Sequence, residues 1–543
     1  MSTAQQQEAE ERRVQKRYWA QHTPPEPNLD TMMLDSAAST LDALERPEVL
    51  SILGSVAGKR VLELGAGIGR FTGELCAAGA AHVVALDFME ASIQENKRRN
   101  GRFSNVEFRT GDVTELELPP DCCDVIFSNW LLMYLSDHEV ERLAARMLQW
   151  VSPGGVIFFR ESCFKQSGDK PRTDNPTHYR NPREYFRVFD QVRQPGVGSE
   201  PGAQLQLLTC KCVDTYVKVK RNQNQLVWKW VKVASPSPQP SPPAAPLAPP
   251  SHTSPSSLRH FLDSQQYSQQ GVETYQAIYG PGHMSCGGEQ TARQLASLLQ
   301  LQPGQRVLDV GCGTGGSAYL LAEGWGVRVH GLDLSVNCLL AALDKASTRS
   351  GDVSFEVADM ASCSLAPCAY DALLCRDTLM HVQDKAGALE RFHSWLKPGG
   401  RLLLTDYCLP PGGAPDLDSD TASYLAARRY HLVSLEAYEE VAVAAGFTEV
   451  VMRDQTDQFV VQLQRELAGL RAQRPAFTAA FGVEAFDACQ ASWEGKLRRA
   501  LAGQQRWVLL TALKAVTRSS SPGAQGPPSP SSGHSEDCTL ALP

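Results

Sequence analysis

Two stretches decide the fold: VLELGAGIGR at residues 61–70 and VLDVGCGTGG at residues 307–316. Each opens with an apolar run that reads as a strand, carries one acid (Glu63 or Asp309), and then places glycines at alternate positions. Glycines 65, 67 and 69, like 311, 313 and 315, let the backbone approach a ligand closely. The helix expected next offers free N–H groups at its start. Such a turn alone is weak evidence, since any tight strand-to-helix turn accepts glycine. More is present here. A second acid, Asp87 or Asp333, closes the next strand 24 residues after the first, where it can accept hydrogen bonds from ribose hydroxyls. A third, Asp112 in TGDV or Asp359 in VADM, ends a further strand, where an adenine amino group can be met.

The repetition extends beyond the loops. Glu63, Asp87, Asp112, Asn129 and Pro153 of SPGG recur as Asp309, Asp333, Asp359, Arg376 and Pro398 of KPGG, all at offsets of 245–247 residues. Five landmarks at nearly constant offset imply duplication of a whole domain. Within each copy short apolar runs alternate with helical stretches: VLELG, HVVALD, DVIFSN and GVIFFRE, then RVLDVG, RVHGLD, YDALLC and GRLLLTD. That alternation predicts an α/β fold, a parallel sheet with helices on both faces. The Pro/Ser-rich stretch 235–257 reads as a spacer between a first domain at 13–234 and a second at 258–518. Residues 1–12 are expected to be a flexible N-terminus, and 519–543 a disordered tail.

Bulk properties exclude several function classes. A net charge of −8 over 543 residues argues against nucleic-acid binding. The 15 cysteines lack zinc-site spacing, so no metal is expected. No apolar run approaches the roughly 20 residues that span a bilayer. The N-terminus MSTAQQQEAEERR resembles no targeting segment, and a reduced, cytoplasmic monomer that binds no membrane is expected.

The series of acid, glycine loop, second acid and third acid resembles class I methyltransferases that use S-adenosylmethionine. A dehydrogenase rivals it for the loop alone; the acid before the glycines, the third-strand acid and the SPGG/KPGG turn favour the methyl donor. The resemblance implies two tandem Rossmann-like domains, each a mostly parallel seven-stranded sheet. Longer motifs narrow it. MMLDSAASTLDALERPEVLS, IFSNWLLMYLSDHEVERL and FFRESCFKQSGD, then FLDSQQYSQQGVETYQAIYGPG, CRDTLMHVQDK and RRYHLVSLEAYEEV, resemble the two halves of plant-type phosphoethanolamine N-methyltransferases, between about Arg13 and Lys514. Such enzymes methylate phosphoethanolamine three times to phosphocholine, feeding phosphatidylcholine synthesis. The first unit typically performs the first transfer; the second takes the mono- and dimethyl derivatives.

The resemblance implies residue roles. In the second unit His381 and Tyr267 form a catalytic pair beside Gln266. Tyr275, Tyr407, Tyr424, Arg428, Tyr430 and Lys496 bind the acceptor, and Met284, Ser285, Asp309, Gly311, Gly313, Asp333, Leu334, Asp359, Met360 and Arg376 hold the donor. In the first unit Glu63, Gly65, Gly67, Asp87, Asp112 and Asn129 hold the donor. That unit departs where chemistry matters: Tyr134 replaces His381, Asn129 replaces Arg376, and Ser162 replaces Tyr407. Tyr18 and Trp19 are expected to close its site, and His178, Tyr179, Arg180, Arg183 and Tyr185 to contact its acceptor. The alternative is a glycine/sarcosine-type methyltransferase whose first unit only binds donor and regulates.

Overall fold

The apolar runs become strands because their side chains are covered on both faces, as the centre of a parallel sheet requires. In the first unit these are β1 (Arg60–Leu64), β2 (His82–Asp87), β3 (Val106–Thr110), β4 (Cys123–Asn129) and β5 (Val151–Ser162). The short β6 (Arg193–Gln194) and the long β7 (Ala203–Cys212) and β8 (Gln225–Ala234) follow. The second unit has β9 (Arg306–Val310), β10 (Arg328–Asp333), β11 (Val353–Val357), β12 (Tyr370–Arg376), β13 (Leu396–Cys408), β14 (Phe447–Asp454) and β15 (Arg506–Lys514). This computed structural model describes residues 3–24, 26–170, 176–196, 201–235, 255–349 and 351–516.

The first unit orders its strands β3-β2-β1-β4-β5-β8-β7, and the second β11-β10-β9-β12-β13-β15-β14. In each, six strands run in one direction and only β8 or β15 runs against them, so the mostly parallel seven-stranded sheet is present in both copies. Among the described residues no helix is long and apolar enough to cross a membrane.

The two sheets are not beads on a string. Strands β7 and β11 pair antiparallel at Lys211 and Glu356, joining both units into one 15-stranded sheet that includes β6. One apolar core runs across the junction, from Leu205 and Leu207 to Leu339, Leu343 and Phe355. Polar contacts fix the register: Thr209 Oγ1 donates to Val357 O at 3.1 Å, and Gln223 Nε2 to Val353 O at 2.9 Å. Burial pushes the Glu356 carboxyl up, but His330 and Lys211, 3.3 and 3.2 Å away, outweigh it and hold it at about 2.

Three boundaries need correction or placement. Residues 3–12, expected to be flexible, are helical within Thr3–His22. Gln, Glu, Ala and Arg favour helix, and the helix is tied down by Arg12 to Glu139 at 2.5 Å and by Gln15 Nε2 to Pro176 O at 2.7 Å. Sequence patterning hid it because the buried face carries Gln15 and Tyr18 rather than an aliphatic stripe. The helix Pro255–Phe261 begins inside the stretch read as spacer, whose residues 236–254 lie outside the described residues, as does the tail 519–543.

Beneath the first unit's cleft Glu45, fully buried, bridges Arg160 at 2.6 Å and Arg70, which also bonds Asp42. Burial alone would raise the Glu45 carboxyl, and the two guanidinium groups reverse that, lowering it below its usual value. Removing the carboxylate leaves the buried Arg160 without its ion-pair partner and Arg70 with Asp42 alone. Glu45→Ala should therefore lower stability by about 3–5 kcal/mol in chemical denaturation, as loss of one partner from a buried ion pair does.

Candidate active sites

Each unit carries a cleft at the carboxyl ends of its parallel strands, where open α/β sheets bind ligands. The second, about 1030 Å³, starts from the turn after β9. Gly311 has φ +72°, and a Cβ there would meet Thr378 Oγ1 at 2.0 Å, so only glycine fits. The Gly313 N–H donates to Asp333 Oδ2 at 2.8 Å, and Ser335 N donates to Oδ1 at 2.8 Å. Burial raises the Asp333 carboxyl to about 6 despite these bonds. Met284, Ser285, Gly311, Gly313, Asp333, Leu334, Asp359, Met360 and Arg376 all line the cleft. Asp309 does not line it: it lies buried beneath the loop, pushed up to about 7 by burial and by Asp333. Arg376 donates to the carbonyls of Cys286 (2.5 Å) and Gly288 (3.3 Å), pinning the Met284–Ser285 turn against the strand end.

The opposite wall is aromatic and polar. His381 sits in the single turn Leu379–His381, its Nε2 3.2 Å from Tyr267 Oη. Gln266 Nε2 donates to both Tyr267 Oη and Tyr430 Oη at 3.1 Å, which leaves the Tyr267 proton for the imidazole. Burial, then the neighbouring Lys385, pushes His381 down to about 3, and burial pushes Tyr267 well above its usual value. Both are therefore neutral near pH 7. Tyr275, Tyr407, Tyr430 and Lys496 line the same space, with the Lys496 ammonium 3.4 Å from the Tyr279 hydroxyl and over the Trp493 ring at 4.8 Å. Tyr424 and Arg428 stand one layer back instead. The Tyr424 ring is covered by the Arg499 guanidinium at 3.5 Å, and Arg428 bonds Tyr275 Oη at 3.4 Å.

One residue escaped the sequence reading: Asp377, which lines the cleft and has φ +50°. Its Oδ1 accepts from Thr405 Oγ1 and Trp507 Nε1, both at 2.8 Å, and its buried Oδ2 has no hydrogen-bond partner. The available signal was an acid immediately after Arg376 at a strand end.

The first cleft, about 1370 Å³, repeats the donor half. Gly67 N donates to Asp87 Oδ2 and Met89 N to Oδ1, both at 2.9 Å. Burial raises Asp87 as well, and it raises Glu63 to about 8 even with Thr72 Oγ1 bonded to it at 2.6 Å. Glu63, Gly65, Asp87, Asp112 and Asn129 line the space; Gly67 faces Met32 instead, 2.4 Å from where its Cβ would lie. Arg12 and Lys16 flank Asp112 at 3.6 and 3.5 Å.

The acceptor half differs. Trp19 packs edge-on against Tyr134, centroids 5.3 Å apart, and both line the cleft, whereas Tyr18 is buried against His22. Of the five residues expected to contact the acceptor, only Tyr179 lines the cleft. Tyr185 is fully buried in the core, and Arg180 is spent on Asp137 and the carbonyls of Leu132 and Leu135. Arg183 reaches Asp344 of the second unit at 3.3 Å, and His178 lies 4.0 Å from Glu11. Their polar and aromatic character suggested a ligand, but it serves the loop that leads to the junction. Among the described residues no group of three His, Cys, Asp or Glu side chains is placed to hold a metal ion.

Comparison with known proteins fits this geometry. Two family models described as methyltransferase domains match residues 61–155 and 301–449. Phosphoethanolamine N-methyltransferase of Triticum aestivum is 47% identical over 510 residues, covering 93% of this chain and 96% of that protein. Phosphoethanolamine N-methyltransferase 1 of Arabidopsis thaliana is 44% identical over 507 residues, covering 93% and 99%. Among solved structures, Haemonchus contortus phosphoethanolamine N-methyltransferase 2, in complex with phosphomonomethylethanolamine and S-adenosylhomocysteine, has the same fold. Its TM-score is 0.68 at 23% identity, over 87% of this chain and 99% of that one.

The buried imidazole gives a direct check. Ring-nitrogen NMR should find His381 neutral at every pH from neutrality down to about 4, protonating only near 3. A midpoint near the ordinary 6.5 would mean that the ring is solvated rather than enclosed.

Proposed function

We propose that this chain, which belongs to the phosphoethanolamine N-methyltransferase family, methylates phosphoethanolamine to phosphocholine in three successive transfers from S-adenosylmethionine. The first unit performs the first transfer and the second unit the other two, in a cytoplasmic monomer. The observation that carries the reading is the Gln266–Tyr267–His381 network at one end of a cleft whose other walls hold Lys496 and four further tyrosines.

The chemistry of the two clefts suits the donor. Asp333 and Asp359, or Asp87 and Asp112, are acceptors for ribose hydroxyls and an adenine amine, and Met284, Leu334 and Met360 supply apolar walls. When bound, the donor provides an electrophilic sulfonium methyl. What the protein must arrange is an acceptor nitrogen with a free lone pair. An alkylamine has a pKa of about 10 and arrives protonated. Entry into a buried cleft disfavours that charge, and the neutral His381 Nε2, through the Tyr267 hydroxyl, gives the proton a path away. The Asp377 carboxylate lines the cleft and draws the ammonium to that wall by charge. Lys496 and the hydroxyls of Tyr407 and Tyr430 are donors for the phosphate, with Arg428 adding positive charge from behind Tyr275.

Assays of the full-length chain with each acceptor separate the roles. His381→Ala should slow the second and third transfers by about 10²- to 10⁴-fold, the usual span for lost general acid–base help, with phosphomonomethylethanolamine accumulating. Asp87→Ala should stop the first transfer while leaving added phosphomonomethylethanolamine a substrate. Phosphocholine formed at the unmodified rate by His381→Ala would refute the base. First-transfer activity surviving in Asp87→Ala would favour a first unit that only regulates.

A further inference from the structure

The floor of the first cleft holds a polar cluster that neither the donor site nor the catalytic pair uses. Ser162 ends β5 and pairs in register with Gln225 of β8; the matching pair in the second unit is Tyr407 with Trp507. Ser162 and Ser167 line the cleft, while Gln225 and Asn224 lie buried behind them. The hydrogen bonds fix which way each group points. Gln225 Oε1 accepts from Trp130 Nε1 at 2.7 Å and from Arg160 Nε at 3.1 Å, so its amide nitrogen faces the serines. Asn224 Oδ1 accepts from the N–H groups of Phe164 (2.8 Å) and Lys165 (3.1 Å), which turns its nitrogen the same way.

Counting protons then gives a definite result. Gln225 Nε2 donates to Ser162 Oγ at 2.5 Å and to Ser167 Oγ; Asn224 Nδ2 donates to Ser167 Oγ at 2.6 Å. Ser167 Oγ has both lone pairs filled, so in the 3.3 Å contact between the two hydroxyls Ser167 is the donor and Ser162 the acceptor. Ser162 Oγ now also accepts twice. Its own proton has no acceptor within the cluster and can go only to a group in the cleft. The chain of donors begins at the buried Arg160 guanidinium, which polarises the Gln225 amide.

From this accounting we propose that Ser162, set by Ser167, Gln225 and Asn224, is the phosphate-binding donor of the first unit's acceptor site. The proposal rests on the assignment of phosphoethanolamine to that unit. A hydroxyl whose lone pairs are both filled by donors bonds an anionic oxygen and offers nothing to an ammonium, so it orients a molecule bearing one group at each end. The acceptor then lies with phosphate on Ser162 and amine toward Trp19 and Tyr134, which line the same cleft.

The test uses the full-length chain and initial rates of the first transfer. Ser162→Ala should raise KM for phosphoethanolamine about 10- to 100-fold, the worth of one hydrogen bond to a charged group, with KM for the methyl donor unchanged. Inorganic phosphate, as a competitive inhibitor of that transfer, should lose affinity in parallel. Ser162→Thr, which keeps the hydroxyl, should restore most of both. Gln225→Leu releases the serine lone pairs and should weaken phosphate inhibition as well. Turnover of phosphomonomethylethanolamine by the second unit in the same samples reports that the chain is folded. An unchanged acceptor KM in Ser162→Ala, or a loss confined to donor KM, would overturn the cradle alone. First-transfer activity surviving in Asp87→Ala would remove the unit's assignment and the cradle with it.

Discussion

A buried carboxylate tying two loops together is the constraint on which both halves of the protein depend. Asp87 accepts from Gly67 N and Met89 N, and Asp333 from Gly313 N and Ser335 N, so one side chain clamps the turn after one strand to the turn after the next. Burial opposes the charge in each case, which is why both carboxyls are raised, and the two backbone N–H groups partly offset that cost. The glycines are forced by the same clamp, since the loop must turn with positive φ to aim its N–H at the carboxylate. Donor-binding loops of equal shape follow in both units, whatever happens on the acceptor side.

On the acceptor side the units differ by an exchange of partners across matching positions. At the end of β12 the second unit has Arg376 and Asp377, facing Thr405 and Trp507 on neighbouring strands. At the end of β4 the first unit has Asn129 and Trp130, facing Arg160 and Gln225. The guanidinium has moved to the neighbouring strand, and the indole from the strand beyond it to the end of β4. An indole N–H that satisfies a carboxylate in one unit satisfies an amide oxygen in the other. The outcome is a buried carboxylate oxygen without a partner beside the second cleft, and in the first a serine hydroxyl that accepts from Gln225 and lies against Ser167.

The fold and the donor half were legible because they rest on local pattern: apolar runs, alternate glycines, and acids at fixed distances. Motif order singled out Tyr267, Gln266 and His381, and these three side chains meet in the second cleft. Where a residue lies away from its cleft, there is a physical reason in each case. Tyr424 and Arg428 carry the right chemistry but face the back of the tyrosine wall, and spacing along a helix does not say which neighbour a side chain meets. Arg180 and Arg183 look like phosphate binders, yet their charge is consumed by loop carbonyls and by an acid from the other unit. Asp377 was passed over because its value comes from an unfilled lone pair, a property of the assembled site. The Ser162 cradle needs Asn224 and Gln225, some 60 residues away in sequence, before its direction is defined.

The junction shows the same limit at larger scale. A Pro/Ser-rich stretch between two duplicated domains reads as a spacer between independent bodies, and on composition alone that reading is sound. Yet the exposed backbone of β7 and of β11 would each be an open sheet edge in a separated unit, a template for unwanted pairing. Joining them covers part of both edges at once, and covalent connection makes the encounter intramolecular at an effective concentration of about millimolar, so even modest contacts suffice. The contacts here are not modest: a common apolar core, side-chain bonds to strand carbonyls, and an ion pair deep enough to hold Glu356 ionised. Arg259, in the helix that leads to Tyr267, donates to the Leu207 carbonyl of β7 at 2.6 Å, so that helix is seated on the first unit. The two units are thus separated in sequence by the spacer and joined in structure through β7 and β11.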